Sequence, residues 1–217
     1  MINAFFLGDF DAPVSKFSGD RNPNNFWGTF NRVNPDGFKL YRHDSEHTAL
    51  DVNEDRTGPY DAGNIQEKFN PQWLHQKLSG NPEYLVRFAD RVYTHFFHDG
   101  ALTQEANIAR LMKRKNQIDN AIIAESARWG DALRDVPYTR DNEWLDQVDY
   151  LVDEYFVERN AVVLDQFVEK GWYPNFQPPE FNTRDAIVEQ GFQLNMSAST
   201  GKIYYTDDGT NVYGDLS

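Results

Sequence analysis

The chain has 217 residues, 40% of them apolar and 15% aromatic, enough to bury the core of one sizeable domain, or of one domain and part of another. A formal charge of −13 argues against the basic face that a nucleic-acid backbone requires, and against an anionic membrane surface as the main partner. The absence of cysteine excludes disulfide scaffolds, thiolate zinc sites and cysteine nucleophiles, and no run approaches the roughly 20 apolar residues of a membrane span.

Residues 2–7 form a short apolar run that suits the end of a helix or a buried strand. They carry neither a basic leader nor a small-residue cleavage site, so an export signal is expected upstream of Met1. From Gly8 to Asn25 the chain is rich in Gly, Pro, Asp and Asn and reads as an irregular loop. The segments FWGTFNRV and GFKLYRH, joined by Asn34-Pro35-Asp36-Gly37, read as a β-hairpin whose aromatics are expected to serve as core. Residues 44–70 return to loop chemistry.

Helical periodicity begins at Asn70. Asn70-Pro71 and Asn81-Pro82 each place a capping Asn before an N1 proline. The second of these helices carries Leu85, Phe88, Ala89, Val92 and Phe96 on one face. A longer helix starts near Thr103, with Ile108, Leu111, Ile118 and Ile122 expected as a buried stripe. Another spans about Asp141 to Lys170, with Trp144, Val148, Leu151, Val152, Tyr155 and Phe156 inward and Gly171 as C-cap. Pro174, Pro178 and Pro179 then mark a linker, after which GFQLNMSA and GKIYYTDDGT read as strands of a β-sandwich.

Several stretches resemble the CotH kinase family, first known from spore coats and common in exported bacterial proteins. The most specific is NPEYLVRFADRVYTHFFHDGALT, followed by AESARWGDA and YTRDNEWL. A second is the loop–hairpin–loop unit FDAP, NPNNFW and FKLYRHDSEH. GKIYYTDDGT is similar to the chitobiase-C-terminal-like, fibronectin-like modules that often follow such domains. The resemblance implies an α+β chain: a mostly helical kinase-like C-lobe over 1–174 with a β-hairpin at the active-site edge, a linker over 175–185, and the start of a β-sandwich module over 186–217. The chain is expected to be cut at both ends, without the family's nucleotide-covering lobe.

By that resemblance the function is ATP- and Mg²⁺-dependent phosphorylation of Ser or Thr on a secreted or cell-surface bacterial protein. Phosphoryl transfer needs a carboxylate to orient the acceptor and oxygen ligands for Mg²⁺. Asp11 matches the catalytic aspartate. Asn25, or its neighbour Asn24, matches the amide of the metal site. Asp44 matches the metal-binding aspartate after the hairpin, and Glu46 the second acidic position. Two departures are visible: a longer loop separates Asp11 from Asn25, and His43 stands where the family usually has Trp. No glycine-rich phosphate loop or strand lysine is identifiable, so residues 1–217 alone are expected to show little transfer.

Read without the resemblance, the same residues stay open to plainer roles. Asp11 before Ala-Pro suits a turn, and Asn24 and Asn25 suit a hairpin cap. Asp44 and Glu46 with His43 and His47 suit a solvated loop or a transition-metal cluster. His75, His95 and His98 fall in helical segments and are expected to be structural. Arg87, Arg91, Arg128 and Trp129 are expected to hold the helices together, and Asp207 and Asp208 to shape a turn. The alternative to an enzyme is a non-catalytic surface scaffold with a degenerate kinase-like domain.

Overall fold

The structure, a computed structural model, describes residues 1–60, 70–184, 187–208 and 210. Part of the expected 44–70 loop (61–69), the last residue of the expected linker, Gly209 of the Asp-Gly turn, and 211–217 of the second module lie outside the described residues. The fold is α+β, mostly helical with small antiparallel sheets. The chain divides into two compact units, Met1–Trp172 and Tyr173–Ser217. Among the described residues no helix is long and apolar enough to cross a membrane.

In the first unit the apolar run at the N-terminus forms a helix, α1 (Ile2–Phe6). The hairpin follows as β1 (Phe26–Phe30) and β2 (Phe38–Arg42), antiparallel with Gly28 opposite Leu40. Helix α2 (Pro71–Leu78) starts where the Asn70 side chain accepts from the Trp73 amide at 2.9 Å. Helix α3 (Pro82–Phe96) starts where Asn81 accepts from Glu83 and Tyr84. Thr103 caps α4 (Gln104–Trp129) in the same way. Each cap satisfies main-chain donors that a helix start leaves open, and each proline occupies a position that needs no donor.

The last long helix is not uniform. A π-helical turn over Arg140–Trp144 leads into α5 (Leu145–Tyr150), and a second over Leu151–Tyr155 leads into α6 (Phe156–Glu169). The 3.6-residue stripe read from the sequence is therefore re-phased twice: Val148, Tyr155 and Phe156 are buried, whereas Trp144, Leu151 and Val152 are only partly covered. Helix α4 departs further. Its expected stripe is half-covered, and Asn107 is its one buried residue.

The core is a cluster of rings from α1, α2, α3 and α6. Phe5 meets Phe167 edge-on at 5.7 Å, Phe88 meets Phe167 at 5.1 Å, and Phe6 meets Phe96 at 5.4 Å. Trp172, just past α6, closes over His75 at 4.3 Å. Each fully buried ring contributes about 1.5–3 kcal/mol by area, with edge-to-face pairing adding to it.

Inside this cluster His75 is 1% exposed. Its Nδ1 is 2.7 Å from Tyr84 Oη, and its Nε2 has no partner among the described residues. Burial lowers its pKa to about 4. Because the unfolded imidazole keeps a pKa near 6.5, the unfolded chain binds the extra proton between pH 6.5 and 4, and stability falls as pH falls through that window. The expected loss is about 3 kcal/mol, read from urea denaturation at neutral and acid pH, and His75→Phe is expected to remove this component of the pH slope. An unchanged slope in that variant overturns the assignment.

Two arginines organise the polar interior. Arg159 on α6 is fully buried. It donates to the carbonyls of Phe6 at 2.7 Å, Phe5 at 2.6 Å and Glu54 at 2.8 Å, and also to that of Val52. Tyr155, one turn earlier, adds a 2.9 Å bond to Phe6 O. One fork thus joins the end of α1 to the 52–54 loop, adding to the main-chain bond that Gly8 N gives Phe5 O. Gly8 has φ +56, and a Cβ there would lie 3.1 Å from Glu54 Cβ and 3.3 Å from an Arg159 nitrogen, so the approach requires glycine.

Several expectations are corrected. The hairpin is not core: Trp27 is 60% and Phe38 72% exposed, because among the described residues no second sheet lies over its two strands. Arg87 pairs with Glu83 on its own helix at 3.5 Å, and Arg128 lies over neighbouring Trp129, itself half-exposed. They decorate their helices rather than join them. In the second unit, β3 (Glu180–Phe181) pairs with β4 (Met196–Ser197). The expected strand over 191–198 shrinks to those two residues, and 202–206 forms none. Asp208 accepts from the Thr210 amide at 3.0 Å, the turn expected of it.

Candidate functional site

The loop after α1 is built backward from its burial. Asp9 is fully buried, and its carboxylate pairs with Arg42 at the end of β2. Its Oδ1 also accepts from the Asp11 amide at 3.1 Å, an Asx turn that fixes the main chain of Asp11. Arg56, 4% exposed, donates to Asp9 O at 3.1 Å and Val14 O at 2.7 Å and pairs with Asp20 at 2.9 Å. A charge so deep persists because each donor finds a carbonyl or a carboxylate.

The long loop between Asp11 and Asn25 folds back on itself. Val14 bridges Pro23, Ser15 N donates to Asn22 O at 3.0 Å, and Asn24 N donates to Pro13 O at 3.0 Å. This return brings Asn25 to Asp11 across the insertion: Asn25 Nδ2 donates to Asp11 Oδ2 at 2.8 Å and to the Asp44 carbonyl at 3.2 Å. Ser15 Oγ donates to Asp11 Oδ1. The Asn25 amide oxygen accepts no hydrogen bond from the described residues.

The other rim comes from the hairpin's far end. Its antiparallel register continues one step, with His43 N donating to Asn25 O at 2.9 Å. Asp44 follows at φ +50, and Asn25 itself sits at φ +50. These are left-handed conformations that Asn and Asp tolerate better than other side chains, and such positions concentrate at functional sites. The chain then turns so that Glu46 and His47 face Asp11: one donor atom from each of the three lies within 4.8 Å of the others. His47 completes a cluster of three rings with Phe17 and Phe10, at centroid distances of 4.8 and 5.1 Å, the two phenylalanines lying 5.4 Å from each other.

Of the residues singled out from sequence, Asp11, Asn25 and the Asp44 main chain thus meet directly. Asn24 makes only a main-chain bond into the loop. Glu46 converges with Asp11 through His47. Asp9, Ser15, Arg42 and Arg56 were not anticipated as parts of the site. A cavity of about 940 Å³ in the same unit is lined by Met1, Phe26, Leu40, His75, Arg91 and others, touching the loop at Ala12 and Pro13. Asp11, Asn25, Asp44 and Glu46 are not among its lining residues, so the polar convergence, not the apolar cavity, is the candidate site.

Compared with known proteins, the chain matches no family model, no curated protein sequence and no solved structure.

Proposed function

We propose that this chain carries the acidic half of an ATP- and Mg²⁺-dependent phosphotransferase site, arranged like the C-lobe of a CotH-type kinase. Its acceptors would be Ser or Thr hydroxyls of an exported or surface protein. Tyr173–Ser217 would begin an appended β module. The observation that carries the reading is the 2.8 Å bond from Asn25 to Asp11. It closes a loop that, by length alone, separated the two groups that a kinase-type site needs together.

The donor chemistry fits Mg²⁺. Asn25 turns its amide nitrogen toward Asp11 and the Asp44 carbonyl, leaving its oxygen for a hard cation, and Asp44 and Glu46 are exposed carboxylates on the same rim. Bound there, Mg²⁺ would neutralise charge on the nucleotide phosphates. Asp11, oriented on both oxygens by Ser15 and Asn25, would accept the hydrogen bond of an incoming hydroxyl. An oriented carboxylate contributes through position as much as through basicity.

Calorimetry of ATP with the chain extended upstream, to supply the nucleotide-covering lobe that the resemblance implies, tests the proposal. Mg²⁺-dependent binding is expected, weakened at least about tenfold by Asp44→Asn, a magnitude in line with the loss of a metal-site group. A folded chain that binds no nucleotide, or one indifferent to Asp44→Asn, sinks the enzyme and leaves the scaffold.

A further inference from the structure

We infer that Asp11, Glu46 and His47 form a site for a divalent ion that favours nitrogen, of the Zn²⁺ kind, filled without nucleotide. One donor atom from each of the three lies within 4.8 Å of the others, and His47 Nε2 is 3.4 Å from Glu46 Oε1. Donors about 2.0–2.2 Å from one tetrahedral ion lie about 3.3–3.6 Å apart, the separation His47 and Glu46 already have, so the rest of the set needs to close by no more than about 1.5 Å. Glu46, exposed at the rim, is the side chain free to move.

The three donors differ in how firmly they are held, in the way metal sites usually require. Asp11 is 8% exposed, and each of its oxygens takes one hydrogen bond from outside the trio, Oδ1 from Ser15 and Oδ2 from Asn25. A carboxylate offers about four lone-pair positions, so two remain, already oriented as by the outer partners of a metal ligand. The His47 ring packs against Phe10 and Phe17, which also touch each other at 5.4 Å. A ring restrained by two neighbours loses less freedom on binding an ion than one in open solvent. An imidazole beside two carboxylates suits zinc-like ions, whereas Mg²⁺ prefers an all-oxygen shell.

The inference does not rest on the phosphotransferase reading, but it bears on it. An ion here takes one of the two lone-pair positions left on Asp11, so it competes with an acceptor hydroxyl for the same carboxylate.

Zn²⁺ titrated into the nucleotide-free chain, with Mg²⁺ as the contrast, tests the site. One Zn²⁺ is expected to bind, with Mg²⁺ at least about 30-fold weaker as its oxygen preference dictates. Losing a ligand is expected to cost at least as much as the roughly 10–100-fold known for outer partners. His47→Phe keeps an aromatic ring against Phe10 and Phe17 while removing the donor, so it and Glu46→Gln should weaken Zn²⁺ by that factor with unchanged melting of the apo chain. His43→Ala, on the neighbouring exposed imidazole, should stay within about threefold, being outside the trio. Undiminished Zn²⁺ binding in folded His47→Phe, equal affinity for Mg²⁺, or no Zn²⁺ binding at all overturns the inference. Loss of ATP binding alone does not touch it, since that assay reads Asp44 and nucleotide.

Discussion

Arg159→Met is expected to cost the first unit about 4 kcal/mol of stability, a large share of what holds a typical domain folded. The substitution keeps the bulk of the side chain but removes the four charge-assisted bonds to the carbonyls of Phe5, Phe6, Val52 and Glu54. Gly8 N, Tyr155 Oη and Gln166 Nε2 still reach Phe5 O, Phe6 O and Glu54 O, so the cost is about 1.5–3 kcal/mol for each lost bond to the cation, with Val52 O left bare. Removing a cation whose pKa burial has already lowered recovers part of its desolvation cost, which offsets some of this loss. A net destabilisation of about 4 kcal/mol or more remains, against a total of roughly 5–15 kcal/mol for a typical domain. Arg159→Lys should be nearly as damaging, because one ammonium cannot reproduce the planar fork. Urea denaturation followed by near-ultraviolet dichroism measures it, and a methionine variant within about 1 kcal/mol of the parent would show that solvent already reaches those carbonyls.

Arg42→Met is expected to produce the second largest effect, and a more local one. Asp9 would be left fully buried with no counterion, a change that costs about 3–5 kcal/mol when one partner of a buried pair is removed. The hairpin is tied to the loop at its open end, through this pair on β2 and through Asn25 just before β1, so its attachment should fail first. Combining Arg42→Met with Asp9→Leu should recover a large share of the loss, since an apolar pair of similar volume is often tolerated where a lone charge is not. A double-mutant cycle read by denaturation decides the matter. If the double variant is as unstable as the sum of the single ones, the pair is not what anchors the hairpin.

The sequence made the helices easy to read because their starts are chemically marked: Asn70, Asn81 and Thr103 all cap as their spacing implies. The two π turns were invisible to it. An extra residue per turn carries no compositional mark, and a 3.6-residue template counts straight through it. The hairpin's position was legible from alternation and a turn signal, but its exposure was not, since aromatic content says nothing about whether another layer is present.

The site was half legible. Asp11 and Asn25 could be named, but the fold-back of Val14 onto Pro23 that joins them depends on main-chain pairing between residues of no special type. His47 was visible as a neighbour of Glu46, yet its ring cluster requires Phe10 and Phe17, far away in sequence. Asp9, Arg42, Arg56 and Arg159 carry ordinary surface chemistry in a linear reading, and only burial distinguishes them.

The reach of Arg159 also sets an order of events in time. The carbonyls it satisfies lie 105 to 154 positions earlier in the chain. Contacts of that span cannot reward the chain until nearly the whole first unit is available, because the loop they close is long. During synthesis the capped helices α2, α3 and α4 can form on their own, whereas α1 and the 52–54 loop must wait for α6. The Asp11 loop lies between these two segments, so the proposed site is among the last parts of the first unit to become fixed.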